Sequence, residues 1–181
     1  MIVECLIFLS SFVPVNGITI GELEHMRYCK EITPDRAGVH FELIQEFFEP
    51  ENQETAVKIA WSESRFFEYK VRTAEGNYDT GLFQFIRRTW NWVADEYNLP
   101  RWNEWVVLRY GQPYEGPTSK SSHGFSFVQV QKSAYYNTLF ASLLSQDIYN
   151  RTRWDDWSSS QWCWEDTEKF LRLVYNEEKR Y

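Results

Sequence analysis

The chain has 181 residues, a length that fits one compact domain with a core of its own. Its 9 Trp, 11 Tyr and 13 Phe exclude a disordered or low-complexity chain. A formal net charge of −7 argues against a nucleic-acid binder that works by bulk positive charge, and no apolar run reaches the ~20 residues of a membrane span.

Residues 1–17 differ in character from the rest of the chain. Ile7 to Val15 carries no charge, and Val15 and Gly17 are small residues at the −3 and −1 positions of a cleavage site before Ile18. This is the anatomy of a secretory signal peptide, although Glu4 stands where a positive charge is expected. The alternative is a buried N-terminal strand or helix. Removing 1–17 would remove Cys5 and leave Cys29 and Cys163, an even pair that could form a disulfide in an oxidising compartment. Otherwise the two are buried thiols that pack as small hydrophobes.

Thr33-Pro34-Asp35 reads as a helix start, followed by Val39, Leu43, Ile44, Phe47 and Phe48 at helical spacing, and Pro50 stops that helix. A second helix begins near Asn52 and carries Ala56, Ile59, Ala60 and Glu63 on one stripe. Arg72 to Gly81 is a turn or short hairpin. A third helix places Ile86, Trp90, Val93, Ala94 and Tyr97 on one side and ends before Pro100. Residues 101–126, with Gly111, Pro113, Gly116, Pro117 and Gly124, read as a long loop or insertion. A helix from about Gln131 to Asn150 comes next, then a segment with four tryptophans between Trp154 and Trp164. A last helix has Phe170, Leu171, Val174 and Tyr175 inward. The expected architecture is mainly α (α+β), one domain over 18–181 with a short β-like turn or hairpin after the second helix.

Glu63 is the residue with most to say about chemistry. At the end of an apolar stripe it should face the core and lie near the negative pole of its helix. Both effects favour a protonated carboxylic acid, which general-acid cleavage of an acetal requires. The plain alternative is a glutamate held by Arg65 or a backbone donor. Asp79, 16 residues on in a polar turn, should stay ionised. Two carboxyl groups driven in opposite directions by their surroundings suit glycoside cleavage, although an aspartate in a turn is also an ordinary stabiliser of that turn.

The two segments Ile59-Ala60-Trp61-Ser62-Glu63-Ser64-Arg65-Phe66 and Asp79-Thr80-Gly81-Leu82-Phe83-Gln84-Phe85 resemble the lysozyme-like superfamily. The first is similar to the Glu-Ser motif of soluble lytic transglycosylases and goose-type lysozymes. The second is similar to their Gly-Leu-hydrophobic-Gln motif. Asp79 stands nearly where chicken-type lysozymes carry an Asp, and that pair is the reference case for this chemistry. The match is strong over 56–97 and looser over 134–164, where Asn137, Ala141, Trp154, Trp157 and Ser158 resemble the end of the domain. The chain lacks the Ala-Tyr-Asn-Ala-Gly motif of many lytic transglycosylases, and 101–126 has no counterpart there.

The resemblance implies a lysozyme-like fold and cleavage of β-1,4 bonds in peptidoglycan, as a hydrolase or a lytic transglycosylase. Glu63 and Asp79 would be catalytic, with Ser64, Phe83, Gln84 and Trp102 binding substrate. Other readings are a non-catalytic lysozyme-fold protein that binds glycan or protein, and an enzyme that cleaves chitin or chitosan. No cofactor and no metal is expected, because His25, His40 and His123 stand alone without paired Cys or His-Glu-x-x-His spacing. The expected partner is the polysaccharide, with no nucleic acid and no stable membrane span. The protein is expected as a monomer outside the cell, in the periplasm, or carried in a virion or cell-surface assembly.

Overall fold

The computed structural model describes Cys5, Thr19 and residues 35–67, 71–74, 77–116, 124–146, 154–166, 168–170 and 172. It is a mainly helical α+β protein. The leader expected at 1–17 lies outside the described residues apart from Cys5, as do Cys29, Thr33-Pro34, Leu171, Val174 and Tyr175. No helix among the described residues is long and apolar enough to cross a membrane. The chain divides into two compact units, residues 1–62 with 154–181, and residues 63–153.

In the first unit, helix α1 (Asp35–Phe47) buries Leu43 and Ile44, and Phe48 beyond its end is buried with them. Pro50 ends the connection by opening α2 (Pro50–Ser64) instead of merely stopping α1. Proline suits the first helical position, where its missing N–H has no intrahelical acceptor to satisfy. Glu51 comes next in the first turn, where a negative charge complements the helix dipole. Ala56, Val57, Ile59 and Ala60 are at most 1% exposed, so this helix is buried around more than one stripe. A 3-10 segment (Asp155–Ser160) and the short helix α5 (Gln161–Trp164) bring the Trp-rich stretch into the same unit. Trp154 stacks on Phe48, and Trp61 meets Phe170 edge to face at 5.1 Å.

Cys163 is a free, buried thiol that accepts a hydrogen bond from Ser62 Oγ at 3.1 Å, and Cys5 is disulfide-bonded. The possible Cys29–Cys163 bridge is therefore not formed, and the alternative of a buried thiol that packs as a small hydrophobe describes Cys163.

The second unit begins in the last turn of α2. Strands β1 (Val71–Ala74) and β2 (Asn77–Thr80) form the expected hairpin, with Arg72 opposite Asp79. Helix α3 (Arg87–Tyr97) buries Trp90, Val93 and Ala94, and Asn98 in the left-handed conformation closes it two residues before Pro100. Trp90 is the hub of the unit. It is wholly buried, lies flat on Phe140 with centroids 3.8 Å apart, and takes Phe85 and Trp102 edge-on.

Within 101–126, read from sequence as a long loop or insertion, residues 105–109, 112–113 and 125–126 are strand. Strands β3 (Trp105–Arg109), β4 (Gln112–Pro113) and β5 (Phe125–Gln129) form an antiparallel sheet in the order β4-β3-β5. Gly111, Pro113 and Gly124, which suggested a loop, sit in its turn and at its edges. Tyr110 and Gly111, both at positive φ, make a two-residue hairpin turn of the kind that matches strand twist. Pro113 falls on the two-residue edge strand, where its missing N–H breaks no interior ladder. A 3-10 turn (Val130–Lys132) leads to helix α4 (Ala134–Ser145), whose first turn is capped by the Ser133 hydroxyl accepting from the Tyr136 N–H. The helix is shorter than its expected span, and residues 147–150 lie outside those described.

Candidate active site

Glu63 and Ser64 are the last two residues of α2, and Glu63 is 4% exposed. The position is the one the stripe implied: a buried carboxyl at the carboxyl end of a helix. The chain then leaves the helix through Arg65 and Phe66, both left-handed at φ 58° and 60°. Left-handed backbone costs a residue with a Cβ roughly 1–2 kcal/mol, so two in succession are held there by their surroundings. Among the described residues, six other than glycine have positive φ. Asn98 closes a helix, Asn103 is of a type that tolerates this conformation, and Tyr110 makes a hairpin turn. The remaining three, Arg65, Phe66 and Gln84, belong to the two segments that carry Glu63 and the Gly81–Gln84 loop.

Asp79 lies half-buried on β2. Thr80 and Phe85 then exchange both backbone hydrogen bonds, at 3.0 and 3.1 Å, and pinch residues 81–84 into a tight loop. Gly81 is indispensable to it. Its φ is 90°, and a Cβ there would lie 2.1 Å from Asn137 Nδ2 and 2.7 Å from the Gln131 carbonyl oxygen.

Asn137 of α4 is the pin of this loop. It is fully buried, its Oδ1 accepts from the Phe83 N–H at 2.7 Å, and its Nδ2 donates to the carbonyl oxygens of Thr80 and Gln131 at 3.3 and 3.2 Å. Inside the loop, Gln84 Nε2 donates to the Gly81 carbonyl at 2.7 Å. Ser64, Leu82 and Phe83 are wholly buried, and Gln84 is 8% exposed. Ser64 and Phe83, expected to touch substrate, are both buried, and the Phe83 N–H is committed to Asn137. The sequence drew attention to Asn137 only as a distant resemblance. The physical signal was available, since a polar amide on the buried face of a helix needs partners.

Trp102 takes a different position. It is half-buried, its backbone N–H donates to Asn91 Oδ1 at 2.9 Å, and its ring meets Trp90 at 6.0 Å. With Tyr78, Ile86, Arg87, Arg88, Asn91 and Asn103 it lines an open groove of about 600 Å³. Neither Glu63 nor Asp79 lines that groove. The two places are joined through Gln131. Its carbonyl accepts from Asn137, and its side-chain amide exchanges two hydrogen bonds with Asn103 on the groove wall, at 3.1 and 2.9 Å.

Among the other tryptophans, Trp61 and Trp90 are core residues, and Trp105 stands 69% exposed on β3. Among the described residues no group of three or more His, Cys, Asp or Glu side chains is arranged to hold a metal ion. The chain matches no protein-family model, no curated protein and no solved structure.

Proposed function

We propose that this chain is a lysozyme-like glycosidase that cleaves β-1,4 bonds between the amino sugars of peptidoglycan. The observation that carries the reading is Glu63, a carboxyl 4% exposed at the carboxyl end of α2, next to two successive left-handed residues. Burial and the negative end of a helix both favour the neutral acid. A neutral carboxylic acid can give its proton to the glycosidic oxygen as the bond to the anomeric carbon breaks, and the resulting carboxylate can then accept a proton from water. Asp79, half-buried on the hairpin of the same unit, stabilises the positive charge that develops on the sugar ring or attacks the anomeric carbon. The acetamido group of the substrate can fill that place in a lytic transglycosylase. Action on a cell wall suits a chain that works outside the cell, in the periplasm or from a virion.

A second reading is favoured by one observation: the groove at Trp102 has the size of a ligand site and is lined by neither acid. In that reading the protein binds glycan without cutting it. Mass spectrometry of purified peptidoglycan incubated with the protein, with chitosan in parallel, separates the possibilities. New reducing ends identify a hydrolase and new anhydro ends a transglycosylase. Ends released from chitosan alone move the substrate to a cationic polymer. Binding with no new ends of either kind overturns the enzymatic reading.

A further inference from the structure

The Trp102 groove has a chemistry of its own. Arg87 and Arg88 open α3, and both are exposed. Two cations at the amino end of a helix oppose its dipole, and the first turn carries no acidic residue to offset them. Among the described residues neither guanidinium forms an ion pair. Both line the groove beside two aromatic rings, Tyr78 at 58% exposure and the half-buried Trp102. Trp102 is held in place by Asn91 and by its edge-on contact with Trp90. The wall is therefore prearranged, and its two guanidinium groups have no ion-pair partner among the described residues.

We propose that this groove binds a sugar that carries a carboxylate, its ring against Tyr78 and Trp102 and its carboxylate on Arg87 and Arg88. Aromatic faces pack on the C–H faces of a pyranose ring, and guanidinium groups take carboxylates through paired, charge-assisted hydrogen bonds. The amides of Asn91 and Asn103 stand on the same wall, where remaining capacity can meet hydroxyl groups. Glu63 and Asp79 take no part in this site, so it stands or falls separately from cleavage.

The test compares two disaccharides by calorimetry on the whole chain: N-acetylglucosaminyl-N-acetylmuramic acid, and its neutral counterpart N,N′-diacetylchitobiose, which lacks the lactyl carboxylate. The acidic disaccharide should bind about tenfold tighter or more at low salt, an advantage reduced to about threefold or less in 0.5 M NaCl. The exposed-site double variant Arg87→Gln/Arg88→Gln should bind both equally, with a melting temperature equal to or slightly above that of the parent. Tyr78→Ala should weaken both by about threefold or more. Equal affinities for the two sugars in the unaltered protein overturn the proposal, without recourse to any variant. So does discrimination that survives the double variant, or free D-lactate binding as tightly as the acidic disaccharide.

Discussion

The Gly81–Gln84 loop and the Trp102 groove share one compact unit and are built on opposite terms. In the loop almost everything is buried, and its turn is fixed from within by Gly81, Gln84 and Asn137. In the groove Tyr78 and both guanidinium groups stand open to solvent, and Trp102 is half-buried. A buried, internally bonded loop holds geometry, whereas an open wall that carries positive charge is suited to recognition. Two jobs that sequence reasoning gives to one set of residues are thereby separated. Ser64 and Phe83 are buried, the latter pinned to Asn137, and Trp102 belongs to a surface a ligand can reach.

The largest effect that bears on this division is expected from Glu63→Gln. The change keeps the shape of the side chain and removes the acid, so turnover should fall about 10²–10⁴-fold while the melting temperature stays close to that of the parent. Gly81→Ala should come next, on stability. Positive φ and a Cβ driven into Asn137 and the Gln131 carbonyl together should cost about 2–5 kcal/mol in urea denaturation. A change below about 0.5 kcal/mol would show that the loop is looser than its hydrogen bonds imply.

Asn137→Ala should cost about 1–3 kcal/mol, because it leaves the buried Phe83 N–H without its acceptor. Substitution at Arg87 should have little effect on stability, which is the contrast the comparison requires. The smallest effect concerns Tyr136, the neighbour of Asn137. Burial first, then Tyr135 and Glu115, raise its pKa above the ordinary tyrosine value of 10.0. Above about pH 10 the unfolded chain therefore loses this proton before the folded one does. Its contribution is fully present below about pH 10 and is lost as the pH rises through the raised value. Spectrophotometric titration of tyrosinate, paired with urea denaturation across that range, checks both sign and order.

Much of this arrangement is legible in the sequence, for reasons that differ between elements. Helical periodicity and proline placed α1, α2 and α3 close to their observed spans, because the spacing that marks a helix is local. Glu63 was found by the same logic: a carboxyl on an apolar stripe is buried wherever the stripe is. The sheet of β3, β4 and β5 was missed because its strands are short and one carries Pro113. Its turn also uses Tyr110-Gly111 where Asn-Gly would have been the clear signal. Asn137 could not be joined to Thr80 and Phe83 from sequence, since the partners are 57 and 54 positions apart. That Arg87 and Arg88 find no ion-pair partner among the described residues is likewise a property of the fold, visible only once their neighbours are known.

General-acid catalysis by Glu63 is tested most directly by changing the leaving group. Glu63→Gln and the unaltered protein are compared on peptidoglycan and on a dinitrophenyl glycoside of an N-acetylglucosamine oligomer, whose leaving group departs without a proton. The expected result is a loss of about 10²–10⁴-fold on peptidoglycan and recovery of most of that loss on the dinitrophenyl substrate. An equal loss on both substrates, or no loss on either, would contradict a general-acid role for Glu63.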